Sequence, residues 1–125
     1  MYKLESQNAP KAVGPYSQAI VSGNLVFLSG QLGINPETSQ LLEGIEAQTR
    51  QAFDNIRSVL KEADLTLNDV VKVLVLLKDI NDFATVNAIY AEQFEAPYPA
   101  RSAFAVAALP LGASIEIEVI AEKKA

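Results

Sequence analysis

The segment Ser114-Ile115-Glu116-Ile117-Glu118-Val119-Ile120-Ala121 decides how the chain folds. Its odd-numbered residues are all apolar, whereas positions 116, 118 and 120 hold two glutamates and an isoleucine. Side chains alternate between the two faces of a β-strand, so this pattern predicts a strand with one buried face and one mixed face. The apolar face needs a second layer to cover it, and the rest of the chain has to supply that layer.

Two helices that would form this layer are indicated upstream. Apolar residues recur at helical spacing over residues 45–63, with charged and amide side chains between them, and this helix is the clearest element of the sequence. A second helix is predicted over residues 82–94, with Asp79 or Asp82 as its cap and Pro97 and Pro99 beyond its end. Both helices have an apolar side that a sheet would cover.

The other predicted elements are strands at residues 16–22, 25–28, 70–77, 101–108 and 114–121, with a loop over residues 31–44. The first two strands are predicted to pair as a hairpin, and residues 70–77 are predicted to be buried on both faces for most of their length. The order β-β-α-β-α-β-β favours an α+β fold in which one mixed sheet carries two helices on one face. A single domain over residues 1–125 is expected.

The sheet face that the helices leave uncovered is predicted to carry both charged and apolar side chains. Glu116 and Glu118 fall on this face, together with Ile120 and part of the 70–77 strand. Such a face is too apolar to remain in water and too charged to be buried alone. We therefore expect several copies of the chain to pack their sheets together, with polar groups enclosed where they meet.

Composition narrows the chemistry that the chain can perform. The 125 residues carry a formal net charge of -5 and include neither cysteine nor histidine. The acidic balance argues against nucleic acid or an anionic membrane as the partner, and the missing residue types exclude disulfides, thiol nucleophiles and histidine-based catalysis. No signal peptide is visible at the N-terminus, and the longest apolar run, residues 73–77, is too short to span a membrane. A cytoplasmic location is expected.

Arg101 and Glu116 are the residues whose setting most strongly indicates chemistry. Arg101 begins an apolar stretch with no other charge before Glu116. A guanidinium there is costly to desolvate unless it binds an anion such as a carboxylate. Glu116 and Glu118 share one strand face, and an antiparallel return of the chain would bring one of them near Arg101. The alternatives are a structural ion pair with one of these glutamates, or a solvated strand end and a charged strand face.

Other polar residues are weaker candidates. Tyr16 follows the constrained turn at Gly14-Pro15, where it either closes a pocket or lies on the surface. Ser29 and Gly30 end a strand and either offer a hydroxyl and a backbone N–H to an anion or simply begin a loop. Asn87 lies within a helix and faces either a ligand or water. The sequence has no phosphate-binding loop, no cluster of metal ligands and no nucleophile paired with a base.

Five segments, in order along nearly the whole chain, together resemble the reactive intermediate deaminase (Rid) family, RidA type. They are Gly14-Pro15-Tyr16-Ser17-Gln18-Ala19, Ser29-Gly30-Gln31, Asp79-Ile80-Asn81-Asp82-Phe83, Pro99-Ala100-Arg101-Ser102 and Ile115-Glu116-Ile117-Glu118-Val119-Ile120-Ala121. The resemblance implies a chorismate-mutase-like fold and a homotrimer whose sheets form a central barrel, with clefts between neighbouring subunits. It also implies hydrolysis of 2-iminobutanoate and 2-iminopropanoate to 2-oxo acids and ammonia, without a metal or other cofactor.

The resemblance further implies roles for particular residues. Arg101 would bind the substrate carboxylate, and Glu116 would position the attacking water and help protonate the nitrogen. Tyr16 would close the pocket from the adjacent subunit, and Ser29, the Gly30 backbone and Asn87 would line it.

Position 103 departs from the family pattern. Many members of the family carry a cysteine two residues after the arginine, whereas this chain carries Ala103. The backbone at Ala103 would still serve the ligand, but a contribution from a thiol is excluded.

Two functions of other classes stay open beside imine hydrolysis. A non-catalytic trimer that senses 2-oxo acids or related metabolites would bind the same ligands without turnover. A ribonuclease activity has also been attached to the family, but the acidic charge and the absence of histidine make it a poor fit to this chain.

Overall fold

A seven-stranded mixed sheet and two long helices make up the fold. The structure is a computed structural model that describes residues 1–124. Its elements, in chain order, are β1 (Tyr2–Leu4), β2 (Ala19–Ser22), β3 (Leu25–Leu28), β4 (Gln31–Leu32), β5 (Ile34–Asn35), β6 (Gln40–Leu41), α1 (Ile45–Lys61), β7 (Val70–Leu77), α2 (Phe83–Gln93), β8 (Ala100–Ala105) and β9 (Ile115–Glu122).

The C-terminal strand β9 lies at the centre of the sheet. The strands follow the order β1-β2-β3-β9-β7-β8, and β4 pairs with β9 beyond the end of β3. All of these pairs are antiparallel except that of β7 and β8. These two strands are parallel because α2, which connects them, returns the chain to the end of the sheet at which β7 begins. The short strands β5 and β6 form a separate hairpin.

Both helices cover the same face of the sheet, as the sequence predicts. Apolar positions of α1 and of the central strands are fully buried against each other, among them Phe53, Ile56, Val73, Ile117 and Val119. The ring of Phe53 meets the rings of Tyr90 and Phe94 edge-on, with centroids 6.1 and 5.8 Å apart, and these contacts join α1 to the end of α2. The prediction of an α+β fold with one mixed sheet and two helices on one face is therefore confirmed.

A close backbone approach places α1 against the strands that follow β3. A Cβ atom at Gly33 would lie 2.4 Å from the Cα of Gln48, so only glycine fits there. The buried amide of Gln48 donates to the Leu42 carbonyl at 2.9 Å and accepts from the Ser114 N–H at 2.8 Å. The Gln48 side chain thus satisfies one backbone group that precedes α1 in the chain and one that directly precedes β9, and it holds the start of β9 against α1.

The second face of the sheet is mixed, as predicted. Phe27 and Phe104 are 41% and 46% exposed on it, beside the half-buried Leu74, Leu76 and Ile120 and the predicted pair Glu116 and Glu118. The expectation that residues 70–77 are buried on both faces is wrong for a single chain, because the helices cover only one side of β7. No helix within residues 1–124 is long and apolar enough to cross a membrane.

Several predicted boundaries were also wrong. The expected loop at residues 31–44 contains β4, β5 and β6, and the N-terminal edge strand β1 was not predicted. The first predicted strand starts later, at Ala19, because the buried side chain of Gln18 bonds the backbone of Ser6 and Pro10 and so holds this segment as a loop. β8 ends at Ala105 rather than at position 108.

The turn before α2 shows which of the two predicted capping residues makes a capping bond. Asp79 accepts a bond of 2.9 Å from the Asn81 N–H and caps a short 3₁₀ turn, Ile80–Asp82. Asp82 precedes α2 directly but makes no capping bond with its side chain. Asp79 is therefore the residue that satisfies a free backbone N–H at the start of the turn that leads into α2.

Candidate active site

Glu116 lies at the side of a cavity of about 660 Å³ on the edge of the sheet. The position of Glu116 on β9 places its side chain on the sheet face away from the helices. In the strand pairing it lies opposite Leu32 of β4. Tyr16, half exposed, and Gly30 line the same cavity, and Val13, Pro110 and Leu111 add an apolar border. We call Tyr16, Gly30 and Glu116 the glutamate cluster.

The carboxyl group of Glu116 is partly removed from water. Burial raises its pKa above the ordinary value of 4.5, and the neighbouring negative charge of Glu118 raises it further. Glu118 itself is exposed. A carboxyl group with a raised pKa beside a cavity is suited to exchange a proton with a bound molecule.

Arg101 lies on the opposite side of the sheet and rests on α2. Its Nη1 donates a bond of 2.7 Å to Oδ1 of Asn87, and its Cζ lies 4.6 Å from the centre of the Tyr90 ring and 5.4 Å from that of Phe83. Ala103 follows on the same face of β8, packed against the edge of the core. We call Asn87, Arg101 and Ala103 the arginine cluster.

Within residues 1–124, Arg101 forms no ion pair. The structural pairing with Glu116 or Glu118, which the sequence left as an alternative, is absent from this part of the chain. Its contacts are with one neutral amide and two aromatic rings, and none of them neutralises the charge. The guanidinium therefore keeps donors available for an anion such as a carboxylate.

The expectation that one chain brings Arg101 near a glutamate is wrong. Strands β8 and β9 do run in opposite directions, but β7 lies between them. Arg101 is level with Val73, whose side chain points to the helices, whereas Glu116 is level with Leu76 on the other face. A parallel connection through α2 puts β8 at the outside of β7, so a simple hairpin between β8 and β9 does not form.

The remaining candidates fall beside these clusters or apart from them. Ser29 adjoins Gly30, but its hydroxyl donates a bond of 2.6 Å to the Ser17 carbonyl and so fastens the strand end. Phe83 and Tyr90 lie in the helix predicted over residues 82–94 and belong to its apolar side. Their spacing of four and three residues from Asn87 puts all three on one helix face, which is the signal that links them to Arg101. No group of three or more acidic side chains in residues 1–124 is placed to hold a metal ion.

The fold and these clusters define a small α+β protein that holds an arginine, without an ion pair in residues 1–124, and a half-buried glutamate on separate faces of one chain. The sequence profile of the family described as Endoribonuclease L-PSP matches residues 6–123, and the chain belongs to this family. Its relatives include Reactive Intermediate Deaminase A of Arabidopsis thaliana, so the resemblance noted in the sequence is confirmed.

Two relatives and one solved structure show the extent of the similarity. A RutC family protein of Pyrococcus horikoshii is 52% identical over 95% of this chain and 95% of its own length. The 2-iminobutanoate/2-iminopropanoate deaminase of Bos taurus is 47% identical over 94% of this chain and 87% of its own. The crystal structure of RidA from an Antarctic Psychrobacter species superposes with a TM-score of 0.95 at 48% identity, covering 98% of this chain and 99% of the other.

Proposed function

We propose that this protein hydrolyses 2-imino acids to 2-oxo acids and ammonia in the cytoplasm, at sites built between subunits of a homotrimer. The observation that carries the proposal is the incomplete state of each cluster. Within residues 1–124, Arg101 has no counter-ion, and the cation that lines the cavity of Glu116 is the exposed Lys11 rather than an arginine that could bind a substrate carboxylate through two parallel N–H donors. Two chains that meet where the edge strand β8 of one adjoins the Glu116 cavity of the other would supply both groups to one cleft.

The exposed apolar side chains support the assembly. Phe27 and Phe104 lie on the uncovered sheet face together with Leu74 and Leu76, where a single chain leaves apolar area in water. Burying this face in a central barrel would remove that area and enclose Glu116 and Glu118 at the seams. A trimer with three equivalent clefts fits a chain that holds Arg101 on the edge strand β8 and Glu116 on the other face of the sheet.

The proposed mechanism needs only positioning and proton transfer. Arg101 holds the substrate carboxylate through two parallel N–H donors, and Asn87 keeps the guanidinium in place. The Glu116 carboxylate accepts a proton from water as the water oxygen attacks C2, and the C=N π electrons move to nitrogen. Glu116 then returns this proton to the nitrogen, which gives a carbinolamine with a C2 hydroxyl and an amino group. It next carries the hydroxyl proton to the amino nitrogen, and the C–N bond breaks, so that ammonia leaves as the 2-oxo group forms. Tyr16 and the Gly30 backbone limit the room around this centre.

An assay coupled to threonine dehydratase tests the activity directly. The dehydratase releases 2-iminobutanoate, which also hydrolyses in buffer, so the readout is the acceleration of 2-oxobutanoate formation by added protein. The unaltered protein is expected to accelerate it catalytically. Arg101→Ala is expected to lose about 30- to 1,000-fold in rate, since a charge-assisted carboxylate contact contributes about 2–4 kcal/mol. Arg50→Ala, which removes a surface arginine paired with Glu92, is the matched control.

Two results would reject this function. Binding of 2-oxobutanoate without any acceleration, unchanged in Glu116→Ala, would indicate a regulatory module that senses the ligand. Degradation of RNA by the purified protein, lost in Arg101→Ala, would indicate the ribonuclease activity that the family description names.

A further inference from the structure

The guanidinium of Arg101 lies on a surface built by one face of α2. Phe83, Asn87 and Tyr90 succeed one another along this face and surround Arg101 from the helix side. Asn87 holds one terminal nitrogen by a hydrogen bond, and the two rings lie under the planar group at 5.4 and 4.6 Å. Within residues 1–124, the Arg101 side chain donates no other hydrogen bond, so its remaining N–H groups are directed by these three contacts alone.

We infer that Phe83 and Tyr90 are positioning residues, which hold Arg101 by cation–π contact in the orientation that presents its free N–H groups to a carboxylate. This inference deepens the proposed function and rests on it. An unrestrained arginine side chain has many rotamers, and the entropy lost when binding orders it would lower the affinity for the ligand. A surface that fixes the guanidinium beforehand removes most of that cost. On this view Asn87 also acts through Arg101 rather than by touching the substrate.

The ring of Tyr90, rather than its hydroxyl, carries this role. The hydroxyl is buried and has no hydrogen-bond partner within residues 1–124. Burial raises the pKa of Tyr90, against a smaller opposite effect of Arg101, so the side chain is neutral at physiological pH. A buried hydroxyl without a hydrogen-bond partner is unfavourable. Replacement of Tyr90 by phenylalanine would therefore remove no hydrogen bond that holds the ring. The edge-on packing of Tyr90 against Phe53 holds the ring beneath Arg101.

Three substitutions separate ring, hydroxyl and core packing. Tyr90→Leu removes the ring, whereas Tyr90→Phe keeps it and removes only the hydroxyl. Phe94→Leu is the matched control for core truncation, because Phe94 belongs to the same buried cluster but is not one of the two rings under Arg101. Each variant is compared with the unaltered protein by the Kd for 2-oxobutanoate, by KM and kcat in the dehydratase-coupled assay, and by the ¹H–¹⁵N NMR shift of the Arg101 Nε–H.

Tyr90→Leu is expected to weaken 2-oxobutanoate binding about three- to tenfold, with a larger change in KM than in kcat, and to move the Nε–H signal as the ring current is lost. Tyr90→Phe and Phe94→Leu are expected to keep the affinity and the shift. Equal binding by folded Tyr90→Leu overturns the inference, and so does an equal loss in Tyr90→Phe, which would assign the effect to the hydroxyl. If Tyr90→Leu does not fold, Phe83→Leu at the half-buried second ring gives the same comparison.

The outcomes also separate this inference from the proposed function. A protein that does not accelerate imine hydrolysis fails the proposed function, yet the Nε–H shift still reports whether the rings hold Arg101. A protein that is active but whose Nε–H signal does not respond to Tyr90→Leu or Phe83→Leu keeps the function and loses the positioning role.

Discussion

The carboxyl group of Glu116 packs directly on the backbone of Gly30. A Cβ atom at position 30 would lie 2.8 Å from Cδ of Glu116 and 3.0 Å from its Oε2. The backbone of Gly30 is not in the left-handed region, so glycine is required here for space and not for conformation. The absence of one methyl group therefore determines where the candidate catalytic carboxylate can lie.

Gly30→Ala is expected to lower kcat about 10- to 100-fold while the melting temperature changes little. The new methyl group meets the end of a flexible side chain, which moves aside at small cost to the fold but carries the carboxylate away from its reacting position. The coupled assay and a thermal melt measure the two effects. In a Glu116→Asp background the shorter side chain leaves room, and Gly30→Ala is expected to have a smaller effect. A full effect in that background would show that the methyl group acts on the substrate and not through Glu116.

The sequence predicted the layers of the fold because those depend on local periodicity. Alternation in β9 and helical spacing in α1 identified which faces are buried, and the two-sided character of the sheet followed from Glu116 and Glu118. The short strands β4, β5 and β6 escaped prediction because two-residue strands carry no periodic signal. Their pairing depends on the tight packing of Gly33 on Gln48, which is a tertiary contact.

The sequence named the candidate residues of the site but did not give their arrangement. Arg101 and Glu116 were identified by their apolar surroundings and by family resemblance. Their separation could not be foreseen, because it follows from the insertion of β7 between β8 and β9. The strand order depends on how the connection through α2 packs on the sheet, and the sequence near Arg101 contains no pattern that predicts this packing.

The pH dependence of the reaction should respond to Glu118. Glu116 has to be ionised to accept a proton from water, so activity falls as the pH decreases through the pKa of Glu116, which lies above 4.5. Burial is the larger cause of that elevation and the charge of Glu118 the smaller. Glu118→Gln removes the smaller cause, and the acid limb of kcat/KM is expected to move to lower pH without reaching the position of an exposed glutamate.

Glu122→Gln, at an exposed position of the same strand, is the control for this shift. Rates are taken above the buffer reaction at each pH, because imines also hydrolyse without the protein. An acid limb that stays in place in Glu118→Gln, or that moves equally in Glu122→Gln, would contradict the assigned coupling.

Gln48 is expected to contribute strongly to stability without touching the clusters. Gln48→Ala leaves the Leu42 carbonyl and the Ser114 N–H without their side-chain partners, and unsatisfied buried groups cost about 1–3 kcal/mol each. Denaturant unfolding at fixed protein concentration should show a loss of at least about 2 kcal/mol. Gln40→Ala, at an exposed position of β6, is the matched control and should change the free energy of unfolding by less than about 0.5 kcal/mol.

Mixed oligomers test whether two chains build one site. Arg101→Ala and Glu116→Ala are each expected to be nearly inactive alone, but an oligomer containing both has clefts that join an intact Arg101 from one chain to an intact Glu116 from the other. Random mixing in equal amounts gives such clefts at about one seam in four, so about a quarter of the original activity should return. The variants are unfolded, mixed and refolded together, and native mass spectrometry establishes the composition of the oligomers. The double variant Arg101→Ala/Glu116→Ala mixed with Glu116→Ala has no cleft with both groups and should stay inactive. Mixed trimers that form but recover nothing would place both groups in a site of one chain, against the separation that β7 imposes on them.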